Sequence, residues 1–154
     1  MDYEFELPGV VVVEDEEKIE TQVFLNKNKK AMLFLIYIYK YQPITHREIF
    51  SLLDGNINIS KKTIDLLGQR LENKGMVHRV THKEAFDAIL SQKGGIYSKI
   101  VDKHKAALKK LKGYAKNNIK ETIYYISTEK GKEWLPFCLE KLNIGYKIQN
   151  ETKK

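Results

Sequence analysis

The chain has 154 residues, of which 42% are hydrophobic and 31% charged, so it can form one domain with a real core but not two ordinary domains. Its formal net charge of +7 favours a polyanionic partner. A single cysteine, Cys138, excludes an intrachain disulfide, and the longest apolar run, residues 31–39, is shorter than a membrane span of about 20 residues. Since the N-terminus also lacks the features of a signal peptide, we expect a cytoplasmic protein without membrane contact.

The charge is divided unevenly along the chain. Residues 1–25 hold eight acidic residues and one lysine, whereas the remainder holds 26 basic and 12 acidic residues. Within this acidic N-terminal arm, residues 10–13 predict a strand, residues 14–17 a solvated acidic turn, and residues 19–25 a second piece that is extended or helical. Two interpretations of the arm remain open: an edge hairpin with a solvated loop, or an arm that folds over a basic groove and competes with nucleic acid.

Residues 29–41 predict the central helix of the core. Their middle is apolar on nearly all sides, which is typical of a fully buried helix. Asn26 or Asn28 can cap its start, and Pro43 ends it.

A helix pair is predicted next. Residues 46–54 form the first helix, for which Thr45 and Glu48 provide a capping box. Residues 60–74 form the second, with Ser60 as N-cap, Thr63 giving only a partial capping box, and Gly75 as the left-handed residue that ends it before a short strand, residues 76–80. The inward positions are Ile49, Leu52 and Leu53 on the first helix and Ile64, Leu67, Gly68 and Leu71 on the second.

A helical hairpin is predicted over residues 82–120. Its first helix, residues 82–92, carries Phe86, Ile89 and Leu90 on one face. Its second, residues 97–116, has an apolar face and an opposite face with seven lysines against Asp102 alone. Ordinary solubility can explain this lysine face, but its single sign favours contact with phosphate. The apolar positions of the second helix are Ile100, Val101, His104, Ala107, Leu108 and Leu111.

The last segment predicts a strand over residues 121–127, a helix capped by Thr128, and a kink or restart at Pro136. Residues 137–142 continue an apolar face, which suits either a dimer contact or packing on the home domain. Residues 146–154 predict a flexible basic tail.

Two motifs resemble a known family. Residues 59–79 resemble the recognition helix and first wing strand of MarR-like winged-helix DNA-binding proteins. Residues 124–136 resemble the closing wing strand and next helix of the same superfamily, in which HxlR-like members often carry a proline soon after. Ser127 replaces the usual leucine, and about forty residues stand where a wing needs only a short hairpin. The matching positions of the first motif are Ser60, Thr63, Ile64, Arg70, Leu71, Glu72, Lys74, Gly75, Val77 and Arg79.

The resemblance implies an α+β, mainly α fold: a winged helix-turn-helix domain over residues 26–145 with the hairpin inserted in its wing. It implies a homodimeric, sequence-specific regulator of transcription that binds double-stranded DNA. A helix in the major groove must offer long polar side chains, and His78 and Arg79 lead into the wing. Leu66 is left open between a thymine methyl contact and packing against the insertion. The expected DNA-binding residues are Ser60, Lys61, Lys62, Thr63, Asp65, Gln69, Arg70, Arg79, Lys99, Lys103, Lys109 and Lys110.

Enzyme motifs are missing from the sequence. It has no glycine-rich phosphate loop, nucleophile elbow or carboxylate pair at motif spacing, so we expect neither catalysis nor a cofactor. His78, His82 and Cys138 are poor zinc ligands together, because the two histidines straddle a strand end and only one thiol is present. The alternative function is a protein- or ribonucleoprotein-interaction module that docks through the lysine-rich hairpin. No small-molecule effector can be named.

Overall fold

The computed structural model describes residues 5–8, 16–54, 59–111 and 122–149, and this part of the chain is α+β and mainly helical. The helices are α1 (Glu16–Asn26), α2 (Lys29–Tyr41), α3 (His46–Asp54), α4 (Lys61–Asn73), α5 (His82–Leu90), α6 (Ile96–Lys110), α7 (Glu129–Glu133) and α8 (Leu135–Lys141). The strands are β1 (Phe5–Pro8), β2 (Ile44–Thr45), β3 (Val77–Thr81), β4 (Ile123–Ser127) and β5 (Tyr146–Gln149). None of these helices is long and apolar enough to cross a membrane.

Helix α2 lies at the centre of the main core and has the predicted bounds. It packs against α3, α8 and β4. Asn28 occupies the N-cap position, but its side-chain amide donates to the carbonyl of Phe24 at 2.7 Å and does not cap the helix. Because the helix is apolar on nearly all sides, neighbouring elements can bury most of its circumference. Its buried side chains are Ala31, Met32, Phe34, Leu35, Ile36 and Ile38.

Helix α3 starts, and helix α4 starts and ends, on the local signals that predicted them. The backbone N–H of Glu48 donates to Thr45 Oγ1 at 3.1 Å, and the N–H of Thr45 donates to Glu48 Oε1 at 2.9 Å, which completes the capping box. Ser60 Oγ accepts from the N–H of Thr63 at 3.1 Å. Gly75 has a φ of +75°, and the N–H groups after α4 satisfy its last carbonyls, as in a Schellman motif.

A three-stranded antiparallel sheet, in the order β2-β4-β3, separates two apolar clusters. Tyr125 points into the main core with α2 and α4, while Tyr124 belongs to a second cluster with α5 and α6. The pairing runs from Val77 opposite Ser127 to Thr81 opposite Ile123. The hairpin therefore covers one face of the sheet, and α4 packs on the other side.

The α5–α6 hairpin is present where it was predicted, with two corrections. In α5 the buried residue is Ala85; of the predicted face, Ile89 packs against the second cluster, whereas Phe86 and Leu90 are 43% and 71% exposed. Helix α6 ends at Lys110, and the rest of its predicted span, residues 112–116, lies outside the described residues. Ile100, Val101 and His104 are buried as predicted.

The two ends of the chain differ from the prediction. Strand β5 pairs in parallel with β1, with Phe5 opposite Tyr146, so the predicted flexible tail is ordered as a strand over Tyr146–Gln149. Phe5 and Leu7 are buried in the main core, which makes the described part of the acidic arm a component of the domain. Its residues 10–13 lie outside the described residues. Glu16 and Glu17, predicted in a turn, begin α1 instead.

Helix α1 lies far from the start of α4. Glu17 forms a salt bridge with Lys130, and the ammonium of Lys74 lies 4.7 Å from the ring centroid of Phe24. Both contacts hold α1 near the C-terminal end of α4, opposite Ser60. Helix α1 therefore does not cover the start of α4; residues 1–4 and 9–15 of the arm lie outside the described residues, so both interpretations of the arm stay open.

Pro136 marks a restart of the helix, one of the two predicted outcomes. It lies at the beginning of α8, where its missing N–H removes no helical hydrogen bond. Leu135, Cys138 and Leu139 are buried in the main core, so the apolar face of α8 packs on its own domain.

The stacked histidines of the second cluster predict a pH dependence of stability. The buried His104 ring stacks on His82 with centroids 3.9 Å apart. Burial, and then the neighbouring His82, lower the pKa of His104 below its ordinary value of 6.5. The unfolded chain therefore binds this proton at a higher pH than the folded chain. The free energy of unfolding should decrease as the pH falls from about 6.5 through the folded pKa.

Replacing His104 by glutamine should flatten this dependence, measured by denaturant unfolding between about pH 5 and pH 8. His78→Gln is the matched control, because it removes an exposed histidine of β3. An unchanged slope in His104→Gln would show that the stacked pair does not couple folding to protons.

Candidate nucleic-acid interface

Helix α4 presents a continuous polar surface to solvent. Leu67 and Gly68 lie on its inner side, together with Ile64 and Leu71, because these positions recur at helical spacing. Leu66 is 43% exposed on the outer side and belongs to neither apolar cluster, so it does not pack against the described part of the insertion, residues 82–111. Thr63 is half-buried. The other predicted site residues of this segment are exposed: Ser60, Lys61, Lys62, Asp65, Gln69 and Arg70.

The basic side chains of α4 differ in whether a neighbouring side chain holds them. The Lys61 ammonium lies 5.6 Å from the ring centroid of Phe50, which holds it over α3. Lys62 and Arg70 form no salt bridge with any residue that the structure describes. Two lysines in the first turn add to the positive end of the helix dipole, which favours an anion there.

Arg79 is engaged within the protein. Its Nε donates to Glu72 Oε1 at 2.9 Å, and its Nη1 lies 3.9 Å from Asp65 Oδ1. Gln69 in turn donates from Nε2 to Asp65 Oδ2 at 3.0 Å. The structure therefore links three of the predicted site residues, Arg79, Asp65 and Gln69, in one polar network. Glu72, which closes the network, was not predicted as part of the site, although it lies seven positions after Asp65 on the same side of α4.

Tyr125 supports this network from the interior. A Cβ on Gly68 would lie 2.6 Å from the Tyr125 hydroxyl oxygen, so the glycine makes room for the ring against α4. Burial raises the pKa of Tyr125 to about 12, despite the opposing effect of the neighbouring Arg79. Tyr125 is therefore neutral. The sequence offered no signal for this contact, because the two residues are far apart along the chain.

The four lysines of α6 that were predicted to bind DNA fall into two groups. Lys99, Lys109 and Lys110 are exposed, as a phosphate-contacting face requires. Lys103 is not available in the same way, because its Nζ donates to the carbonyl of Pro43 at 2.8 Å and forms a salt bridge with Glu48. Lys103 thus docks α6 against the start of α3, and its role in DNA binding stays a prediction.

Lys103→Met should weaken this docking. Burial raises the pKa of Glu48, but the hydrogen bonds from Lys103 and Thr45 outweigh it and lower that pKa overall. Because the pair is partly exposed, we expect a loss of about 1 kcal/mol in the free energy of unfolding. Lys99→Met, on the same helix and exposed, is the control. Equal denaturant midpoints for the two variants would contradict the docking role.

The three residues considered for zinc lie apart. His78 is exposed on β3, His82 stacks on His104, and Cys138 is buried in the main core. Within the described ranges, no group of three or more histidine, cysteine, aspartate or glutamate side chains is arranged to hold a metal ion.

Comparisons of the chain with models of protein families, with curated proteins and with solved structures found no match.

Proposed function

We propose that the protein is a transcriptional regulator that binds double-stranded DNA sequence-specifically through α4. In this proposal, the fold is a winged helix-turn-helix with α4 as recognition helix, β3 and β4 as the wing strands, and α5–α6 as a helical insertion in the wing. The order of elements along the chain supports this interpretation: α2, β2, α3, α4, β3 and β4, with β2 paired to the side of β4 that β3 leaves free.

The observation that carries the proposal is the exposed outer face of α4. Lys62, Leu66 and Gln69 follow one another at spacings of four and three residues, so they form a single line along the helix. A line of this kind fits the major groove, which admits one α-helix. Helices α5 and α6, the described part of the insertion, leave this line uncovered because they pack on the opposite face of the sheet.

Each residue of the line has a distinct chemical role in the proposed complex. The amide of Gln69 can pair with the N6 and N7 atoms of adenine, and the side chain of Leu66 can contact a thymine methyl. Arg70 lies to one side, where a guanidinium clamps a phosphate. Lys61 and Lys62 attract phosphate at the start of α4, and Lys99, Lys109 and Lys110 add contacts from the insertion.

Selection of bound sequences from random duplexes tests the proposal, followed by titrations of two variants. Gln69→Ala should cost about 1–3 kcal/mol on the selected site and little on unrelated duplexes. Arg70→Ala should weaken binding to all sequences to a similar extent. Lys83→Ala, at an exposed position on α5, is the control, because it removes a lysine that is not proposed to contact DNA. The absence of an enriched sequence would refute the proposal.

A second function has its own supporting observation. Phe86 and Leu90 lie one turn apart on α5 and are exposed beside the lysine-bearing helix α6, which suits a hairpin that docks a protein or ribonucleoprotein. The two functions predict opposite outcomes for paired variants. If Lys109→Glu with Lys110→Glu abolishes nucleic-acid binding while Lys62→Ala with Gln69→Ala has no effect, the docking function is favoured.

We further propose that the regulator acts in the cytoplasm as a homodimer. Ile19 and Val23 lie one turn apart on α1 and are exposed, whereas the apolar face of α8 is used within the domain. This makes α1 the better place for contact between two copies. The stoichiometry of the same duplex titrations reports it.

A further inference from the structure

We infer that Arg79 is a positioning residue that fixes Asp65 and Gln69 on α4, and that it does not itself contact DNA. The inference rests on the proposed function of α4 and assigns to Arg79 a role in specificity through other side chains.

The geometry joins the wing strand to the recognition helix in two steps. Arg79 on β3 reaches the carboxylate of Glu72 at 2.9 Å and that of Asp65 at 3.9 Å. Asp65 then accepts the hydrogen bond from the Gln69 amide at 3.0 Å. Because Asp65, Gln69 and Glu72 follow at spacings of four and three, their side chains share one side of α4 and lie within reach of a single guanidinium.

The guanidinium is held from several sides. Its side chain is 27% exposed, and the Tyr125 hydroxyl lies beside it, under α4. Glu72 also accepts from the backbone N–H of Arg79 at 3.4 Å, which ties the strand itself to the helix. If Arg79 turned outward to a phosphate, the carboxylate of Glu72 would keep the backbone N–H of Arg79 but would lose the hydrogen bond from the guanidinium. Loss of this charge-assisted hydrogen bond favours the arrangement in which Arg79 stays with α4.

Two properties of the outer face of α4 depend on this arrangement. Asp65 carries a negative charge that repels DNA phosphates, and the adjacent guanidinium reduces that repulsion. Gln69 is held in one orientation by Asp65, so less side-chain entropy is lost when its amide meets a base edge. Arg79 therefore affects how well the protein distinguishes its preferred DNA sequence from other DNA sequences.

Arg79→Lys and Glu72→Gln test the inference together. In Arg79→Lys the positive charge is kept, but an ammonium cannot bind both carboxylates as the planar guanidinium does. In Glu72→Gln the arginine is unchanged, but the negative charge that binds it is removed. Affinity is measured on the selected duplex and on a scrambled duplex over a range of salt concentrations. Both variants should reduce the ratio of the two affinities roughly tenfold, while the salt slope stays unchanged.

A direct phosphate contact predicts a different result and would overturn the inference. In that case Arg79→Ala lowers the salt slope by about one with the affinity ratio unchanged, and Glu72→Gln leaves binding the same or tighter.

A double-mutant cycle separates positioning from a general loss of structure. On a Gln69→Ala, Asp65→Ala background, Arg79→Lys should have little further effect on the affinity ratio, since the side chains that it positions are gone. A full further loss of the ratio on that background contradicts the inference. Failure of the proposed function has another signature, because the unmodified protein then shows no difference between the two duplexes.

Discussion

Duplex affinity is expected to fall about a thousandfold between 50 and 200 mM salt. Six of the basic side chains predicted to bind DNA lie exposed on α4 and α6: Lys61, Lys62, Arg70, Lys99, Lys109 and Lys110. Each one that neutralises a phosphate contributes about −0.9 to the slope of log affinity against log salt, so six give roughly −5. Lys103 and Arg79 are left out of this estimate, because both already bind carboxylates of their own protein.

Titrations by fluorescence anisotropy over a series of salt concentrations measure this slope. Lys61→Ala with Lys62→Ala should make it less steep by about two, whereas Lys83→Ala should leave it unchanged. An affinity that does not vary with salt would remove DNA binding as the function, since the phosphate contacts it requires would not exist.

Gly131→Ala should reduce the free energy of unfolding by about 3 kcal/mol, the largest effect expected of any single methyl group here. A Cβ at this position would lie 2.1 Å from the carbonyl oxygen of Met76, and backbone cannot move aside as the end of a side chain can. Thr128 adds to the constraint, because its hydroxyl donates to the carbonyl of Gly75 at 2.6 Å and accepts from the N–H of Gly131. The start of α7 is thus fastened against the turn that ends α4.

Thermal or denaturant unfolding measures this effect, which corresponds to a decrease in Tm of roughly 10 °C for a chain of this size. Gly94→Ala is the matched control, since its Cβ would be no closer than 3.9 Å to a neighbouring atom. A Gly131→Ala protein as stable as the unmodified chain would mean that α7 does not need this close approach.

Where a structural signal is local, the sequence predicted it well. The bounds of α2 follow from its apolar run and Pro43, and those of α4 from Ser60 and Gly75, because caps and breakers act within a few residues. The outer face of α4 was also predictable, since helical periodicity alone separates Lys62 and Gln69 from the buried side.

Contacts between distant residues were the ones that the sequence did not reveal. The β1–β5 pair joins the two ends of the chain, and neither strand carries a strong pattern of its own. Helical periodicity on α5 predicted an apolar face. It does not determine where α6 packs, and α6 covers Ala85 instead of Phe86 and Leu90. For Lys103 and Arg79 the charge could be read from the sequence but its partner could not, because each partner lies on another element.

The position of the insertion has a consequence for how the protein folds during synthesis. Strand β4 is the central strand of the sheet, and its pairing with β3 joins Val77 to Ser127, about fifty residues apart. Helices form from neighbouring residues and need no such loop closure, so α5 and α6 can be complete before the ribbon closes. A growing chain that has released α4 from the ribosome therefore still lacks Tyr125, and with it the support beneath Arg79. In the proposed function, α4 can therefore bind DNA only after β4, which follows it by about fifty residues, has emerged.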